Sequence, residues 1–211
     1  GVIMPQKAIQ EIYEVTKDHD PIVSTGVGQH QMWTAQYFHF ENPRRFLTSG
    51  GLGTMGYGFP AAMGAQAAFP DKLVIDIDGD GSFMMTLQEL ATIKQFNLKV
   101  KIYIINNTYL GMVRQWQQLF YSRRYSEVGL EVHPDFVALA ESFGVAGLRA
   151  EHPDELRPVL EKSLEIDGPV VVEILVAKEE NVFPMIPAGA ALKDILDVGE
   201  KIPDRLFQGW R

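Results

Sequence analysis

A chain of 211 residues, 46% of them hydrophobic, has enough apolar side chains for one sizeable domain with a full core, not two. Its formal net charge of −8 argues against nucleic acid or an anionic membrane as partner. The absence of cysteine excludes disulfides, thiolate metal sites and iron–sulfur ligation, and fits a reducing compartment; the expected location is cytoplasmic.

Pro5 opens a helix through Val15, with Ala8, Ile9, Ile12 and Tyr13 as its buried face, so the chain begins on an amphipathic helix rather than a signal or transit peptide. Ile22 to Thr25 reads as a short strand ending in the turn Gly26-Val27-Gly28. Ser49 to Pro70 contains no charged residue and is long enough to span a bilayer. Its glycines, Pro60 and small apolar side chains read instead as a loop running into a buried helix through Ala68. Gly56-Tyr57-Gly58-Phe59-Pro60-Ala61 imitates a dinucleotide-binding signature, with an acidic residue about 20 positions further on. The context speaks against it, because no strand leads into Gly56 and Asp76 lies inside a strand.

Leu73–Asp78 and Val100–Ile105 read as buried strands, each stopping at a tight polar turn: Gly79-Asp80-Gly81 and Asn106-Asn107. Between them Thr86 to Phe96 is helical in pattern, with a Thr86/Glu89 capping box and Leu87, Leu90, Ala91 and Ile93 on one face. The unit has the roughly 30-residue size of a βαβ crossover. Both carboxyl ends then reach one sheet edge, where Asp80 and Asn107 face each other across a ligand crevice. A carboxylate, a carboxamide oxygen and a nearby carbonyl suit magnesium, which takes its remaining ligands from water and phosphates. The helix N-terminus after Gly81 offers free N–H groups to an anion. Alone, Gly-Asp-Gly is a turn and Asn-Asn a strand end. Together, each closing a strand, they point to a magnesium-held diphosphate.

Arg114, Gln115, Gln117 and Gln118 mark a polar, loop-like region around Trp116, which on its own reads as a core aromatic. Arg123-Arg124 reads as a solvated face or an interface element, with no chemistry assigned to it. Pro134–Phe143 reads as a helix with Phe136, Leu139, Ala140 and Phe143 inward and Gly144 as its stop. A strand near Val145–Leu148, a helix Pro153–Ile166 and a strand Pro169–Val176 complete the pattern. The expected fold is α/β: an open, mainly parallel sheet with helices on both faces, over residues 1–190, followed by a tail over 191–211.

The Gly-Asp-Gly and Asn-Asn pair resembles the thiamine diphosphate (ThDP) fingerprint. Three further segments are Gly28-Gln29-His30-Gln31-Met32-Trp33, Thr48-Ser49-Gly50-Gly51-Leu52-Gly53-Thr54-Met55-Gly56 and Leu110-Gly111-Met112-Val113-Arg114-Gln115-Trp116. They resemble the C-terminal domain of the acetohydroxyacid synthase (acetolactate synthase) catalytic subunit. The likeness runs from Pro5 to Ala190 and leaves Leu192 to Arg211 unmatched. It implies the ThDP-binding fold of the pyrophosphate-binding kind, with Asp80, Asn107 and the Tyr109 carbonyl on Mg2+. It implies diphosphate donors at Gly81 and Ser82 and at Gln29 and His30, the Gly53 carbonyl on the aminopyrimidine, and Met55 wedged beneath the bent cofactor. Trp116 would line the substrate channel, with Met112 as companion.

The implied reaction is decarboxylation of pyruvate followed by condensation with pyruvate or 2-oxobutyrate, a step in branched-chain amino-acid biosynthesis. The family's catalytic chains carry three domains. The catalytic glutamate would come from a pyrimidine-binding domain, and most of the FAD site from a middle domain. Glu89, Glu131 and Glu141 have no matching context, so the isolated chain is expected to bind cofactor without turnover. Expected partners are those two domains, a second copy in a homodimer or tetramer, and a regulatory subunit; an excised domain and a split enzyme both remain open. Rival readings are a pyruvate oxidase or 2-oxo acid decarboxylase of the same architecture, and a non-catalytic cofactor-binding subunit.

Overall fold

The structure, a computed structural model, describes residues 1–199. Its centre is a six-stranded sheet in the order β2-β1-β3-β4-β6-β5, every neighbouring pair parallel. The strands are β1 (Ile22–Thr25), β2 (Phe46–Thr48), β3 (Val74–Gly79), β4 (Lys101–Asn106), β5 (Ala146–Ala150) and β6 (Val170–Leu175). The central strands β3, β4 and β6 are rich in Val and Ile and buried almost throughout, as expected when both sheet faces are covered, with Asp76, Asp78 and Glu173 as buried polar exceptions. Alternate residues feed two cores. Ile75, Ile77, Tyr103 and Val172 pack against α1 (Pro5–Thr16), α2 (Gln29–Tyr37) and α8 (Pro153–Glu165). Val74, Ile102, Ile104 and Val171 pack against α3 (Gly58–Ala68), α5 (Leu90–Gln95) and α7 (Phe136–Ser142). Among the described residues no helix is long and apolar enough to cross a membrane.

Two expectations are corrected. The Thr86–Phe96 helix is a 3-10 turn at Leu87–Glu89 leading into α5, and no capping box forms. The Thr86 hydroxyl donates to the Gly56 carbonyl at 3.2 Å, and the Glu89 carboxylate accepts from the Thr92 hydroxyl at 2.8 Å. The polar region around Trp116 is not loop-like but helical, α6 (Gly111–Phe120). Arg114 and Gln115 are polar because they are buried against the main chain of residues 180–182, where their side chains are hydrogen-bonded. Helix α2 and edge strand β2 went unread, and the helix start expected after Gly81 comes earlier, as the one-turn helix α4 (Asp80–Phe83). In the tail region, Leu196 exchanges two backbone hydrogen bonds with Met185 and packs with Phe120. The rest of that tail, 200–211, lies outside the described residues.

Helix α3 starts against the exit of β1 so closely that a Cβ on Gly58 would overlap the Gly26 nitrogen and the Thr25 carbonyl carbon. Backbone cannot yield as a side-chain tip can. Gly58→Ala is therefore expected to destabilise the domain by on the order of 3 kcal/mol, read as a lower urea midpoint at unchanged slope. An unchanged midpoint would contradict this packing.

Candidate functional site

The strand order reverses between β1 and β3, and in an open parallel sheet ligands bind beyond the carboxyl ends at such a point. A crevice opens there. It is walled by Val27 to His30 after β1, by Gly79 to Ser82 after β3, and by Asn107 with Tyr109 to Val113 after β4. Trp33, Met55 and Ile105 complete it.

Three helices begin in this crevice: α2 after Gly28, α4 after Gly79 and α6 after Leu110. None of the three has a side chain closing its N-terminus, so first-turn N–H groups and the positive ends of the dipoles converge on one space. Among the described residues no lysine or arginine lines the crevice. His30, the one imidazole, is buried, and burial pushes its pKa down to about 3, so it is neutral at physiological pH. The surface favours an anion yet supplies no mobile cation to neutralise it.

What it supplies is a carboxylate. Asp80 is buried, and its Oδ2 has no hydrogen-bond partner among the described residues. Burial raises its pKa to about 7, against the lowering influence of the Gly81 and Thr108 N–H groups. Such an unpaired buried oxygen beside an anion site fits a bridging divalent cation. Asp78, on the same strand face, is likewise raised to about 7 by burial, with the Ser82 hydroxyl and Gly79 N–H acting in the other direction. Its Oδ1 lies 3.4 Å from His30 Nε2, but desolvation dominates both groups and favours their neutral forms. Deeper still, Asp76 is fully buried and raised well above an ordinary carboxyl, with Ser24 beside it.

Across the crevice, the two asparagines divide the work. Asn106 shapes the turn: its Nδ2 donates to buried Glu173 at 2.7 Å, and its Oδ1 accepts from the Thr108 N–H at 3.0 Å. That bond helps hold Thr108 at φ 59°, an unfavourable angle for a β-branched residue. Asn107 lines the crevice, its Oδ1 accepting from the Tyr109 N–H at 3.1 Å and its Nδ2 donating to Gln29 Oε1 at 3.1 Å. A short antiparallel pairing between residues 108–110 and 128–130 braces the turn from outside.

The sequence-derived residues Gln29, His30, Met55, Asp80, Gly81, Ser82, Asn107, Tyr109 and Met112 are all brought to this crevice. Gln29 and His30 form the first turn of α2 rather than a turn between elements. The Ser82 hydroxyl accepts the Val27 and Gly56 N–H groups at 3.2 and 3.0 Å, which leaves the Ser82 backbone as its contribution to the crevice. Gly53 does not line it; it sits exposed in the loop after β2 at φ 71°. Trp116 lies outside too, half-buried against Phe120 at 4.8 Å between ring centroids. It lines a neighbouring cavity of about 740 Å3 with Gln117, Tyr121 and Arg124, and the two spaces share Met112 and Val113. Trp33, Leu110 and Gly111 stood in the segments that carry the resemblance but were given no site role. Only Gly111, opening a segment after the Asn-Asn turn, carried a usable signal.

Residues 26–174 match the family described as thiamine pyrophosphate enzyme, C-terminal TPP binding domain. The chain is 50% identical over 205 residues to acetolactate synthase 1, chloroplastic, of Nicotiana tabacum, covering 94% of this chain and 31% of that protein. It is 49% identical over 202 residues to the mitochondrial acetolactate synthase catalytic subunit of Saccharomyces cerevisiae, covering 95% and 29%. The corresponding Aspergillus candidus subunit is 48% identical over 198 residues, covering 93% and 28%. The chain thus spans under a third of the length of these curated relatives. With the match extending from the loop after β1 to the end of β6, the chain belongs to the family of C-terminal TPP-binding domains of thiamine pyrophosphate enzymes.

Proposed function

We propose that this chain holds the diphosphate end of ThDP through Mg2+ as part of an acetohydroxyacid synthase that condenses pyruvate with a second pyruvate or 2-oxobutyrate. One observation carries the reading: among the described residues, three uncapped helix N-termini meet in a crevice free of Lys and Arg, beside a buried carboxylate oxygen without a partner. Asp80, Asn107 Oδ1 and the Tyr109 carbonyl would hold the metal, and the N-terminal N–H groups of α2 and α4 the phosphate oxygens. Met55, whose methyl end lies near Gly81, would support the cofactor from below. When bound, ThDP supplies the electron-accepting centre for decarboxylation and carbon–carbon bond formation. The protein positions it and places charge around it. The names of the tobacco and yeast relatives support the choice of reaction.

The activating glutamate, FAD, the second subunit and any regulatory subunit are assigned to the remainder of the assembly, and the lack of cysteine supports a reducing compartment such as the cytoplasm. The purified chain with ThDP and Mg2+ is expected to make no acetolactate until the pyrimidine- and FAD-binding domains are added. Acetolactate formed by the chain alone would overturn that division of labour.

Met112 lines both cavities and Trp116 lines the second, about one helical turn further along α6, which suits them to choosing the second 2-oxo acid by size. In the assembled enzyme, Trp116→Leu is expected to change the preference for 2-oxobutyrate over pyruvate by about tenfold or more. Competition of the two acceptors, followed by product ratio, measures this. An unchanged ratio would remove Trp116 from the specificity site.

A further inference from the structure

Asn107 can serve a cation only if its carboxamide oxygen, not its nitrogen, is held in the crevice, and side-chain amides have no intrinsic preference between the two. The hydrogen bonds around it fix that choice from main-chain groups, whose roles are unambiguous. The Glu180 carbonyl can only accept, so the Gln29 amide nitrogen must face it, at 2.9 Å. Gln29 Oε1 is then turned to accept from Asn107 Nδ2, which holds the nitrogen end of the carboxamide while the Tyr109 N–H, able only to donate, calls for Oδ1 at the other end, toward the crevice. Gln115, fully buried on α6, closes the chain. Its Oε1 accepts from the same Gln29 nitrogen at 2.8 Å and from the Val182 N–H at 2.8 Å, and its Nε2 donates to the Val182 carbonyl at 3.1 Å. Gln115 therefore acts twice: it orients Gln29 directly, and it clamps the segment whose Glu180 carbonyl orients Gln29 from the other side.

We infer that Gln115 is a positioning residue for the metal site, setting the orientation of the Asn107 carboxamide through Gln29 without touching cofactor or substrate. The inference rests on the reading of Asp80 and Asn107 as magnesium ligands. It ties the 180–182 segment and α6, which also carries Trp116, to the cation's environment.

The test is a titration of Mg2+ into the chain at saturating ThDP, followed by calorimetry, for the parent, Gln115→Met and Gln115→Glu. Gln115→Met keeps the volume and loses the hydrogen bonds; Mg2+ affinity is expected to fall about 10- to 100-fold, the usual loss when a ligand's supporting partner is removed. Buried, the new carboxyl of Gln115→Glu is held neutral at about pH 6 and can both accept from Gln29 and donate to Val182. Its affinity there should lie within about threefold of the parent and fall away relative to it as pH rises and the carboxyl ionises. Parent-like affinity in Gln115→Met overturns the inference, as does a Gln115→Glu chain as weak as Gln115→Met at every pH. Should far-UV circular dichroism show Gln115→Met unfolded, the Glu variant decides: a pH-dependent loss supports the role, and a flat profile overturns it. A parent chain that binds no ThDP with Mg2+ sinks the inference together with the proposed function, whereas a binding parent with an indifferent Gln115→Met sinks the inference alone.

Discussion

Replacing Asp80 with alanine is expected to lower magnesium-dependent ThDP affinity by at least about 100-fold, more than 2.7 kcal/mol, while leaving the chain folded. The size follows from what the crevice lacks. With no Lys or Arg in its wall and a neutral His30, the only neutralisation for a diphosphate beyond helix N–H groups is a bound cation. Among the described residues Asp80 provides the only carboxylate lining the crevice. Asn107→Ala removes a neutral ligand and should cost less, about tenfold. The folded state should tolerate Asp80→Ala because the change removes a buried carboxyl whose desolvation is costly and one of whose two oxygens has no partner among the described residues. Calorimetric titration of ThDP with and without Mg2+ measures both variants. Parent-like, magnesium-dependent binding by Asp80→Ala would mean that the cation is held elsewhere.

The ligand-free chain should melt at a higher temperature near pH 5 than near pH 8, the reverse of the usual carboxylate effect. Asp76, Asp78 and Asp80 stand at alternate positions along β3 and its exit, and burial raises all three. Unfolded, each ionises at about 3.9, whereas folded Asp78 and Asp80 keep their protons up to about 7. Across that interval the native state binds more protons than the unfolded chain, so stability falls as pH rises, and levels off above it. His30 opposes with one proton, because its folded value of about 3 lies below its unfolded value, but the carboxyls outnumber it. Lys101, lowered to about 8 by burial, acts only at higher pH. Magnesium and ThDP should flatten the decline, since a metal takes Asp80 in its ionised form and its binding strengthens as that proton leaves. Melting scans from about pH 5 to 8, with and without ligands, test the sign. A ligand-free melting temperature that climbs over this range would contradict the burial of uncompensated carboxyls on β3.

The strands were legible because a parallel sheet covered on both faces favours short stretches rich in Val and Ile, and those of β1, β3, β4 and β6 lie within about a residue of the observed ends even though Asp76, Asp78 and Glu173 interrupt them. Helix α1 was legible because its apolar residues recur on one face. Helix α2 was not, for the opposite reason, and in α6 the apolar residues at helical spacing, Met112, Val113, Trp116 and Phe120, were passed over in favour of its polar ones. Both carry polar side chains inward: His30 and Gln29 against the crevice, Arg114 and Gln115 against residues 180–182. Hydropathy periodicity is blind to a buried face whose contacts are hydrogen bonds. The Thr86/Glu89 box failed for a related reason, since both side chains serve tertiary or local partners instead of the helix start.

At the site, the Asp80 and Asn107 placement followed from strand ends alone, because register in a βαβ unit fixes which residues emerge together. The separate task of Asn106, turned inward to Glu173, depends on a residue 67 positions away and has no local signature. The same is true of the Gln29–Gln115 contact, formed by side chains 86 positions apart.

The most direct test of the central claim is a crystal of this chain grown with ThDP and Mn2+, with data collected to locate manganese by anomalous scattering. The expected result is one strong peak within about 2.0–2.3 Å of an Asp80 carboxylate oxygen and of Asn107 Oδ1, with the diphosphate completing the octahedron against the N-termini of α2 and α4. A cofactor bound with manganese away from Asp80, or a diphosphate outside the β1–β3–β4 crevice, would contradict it.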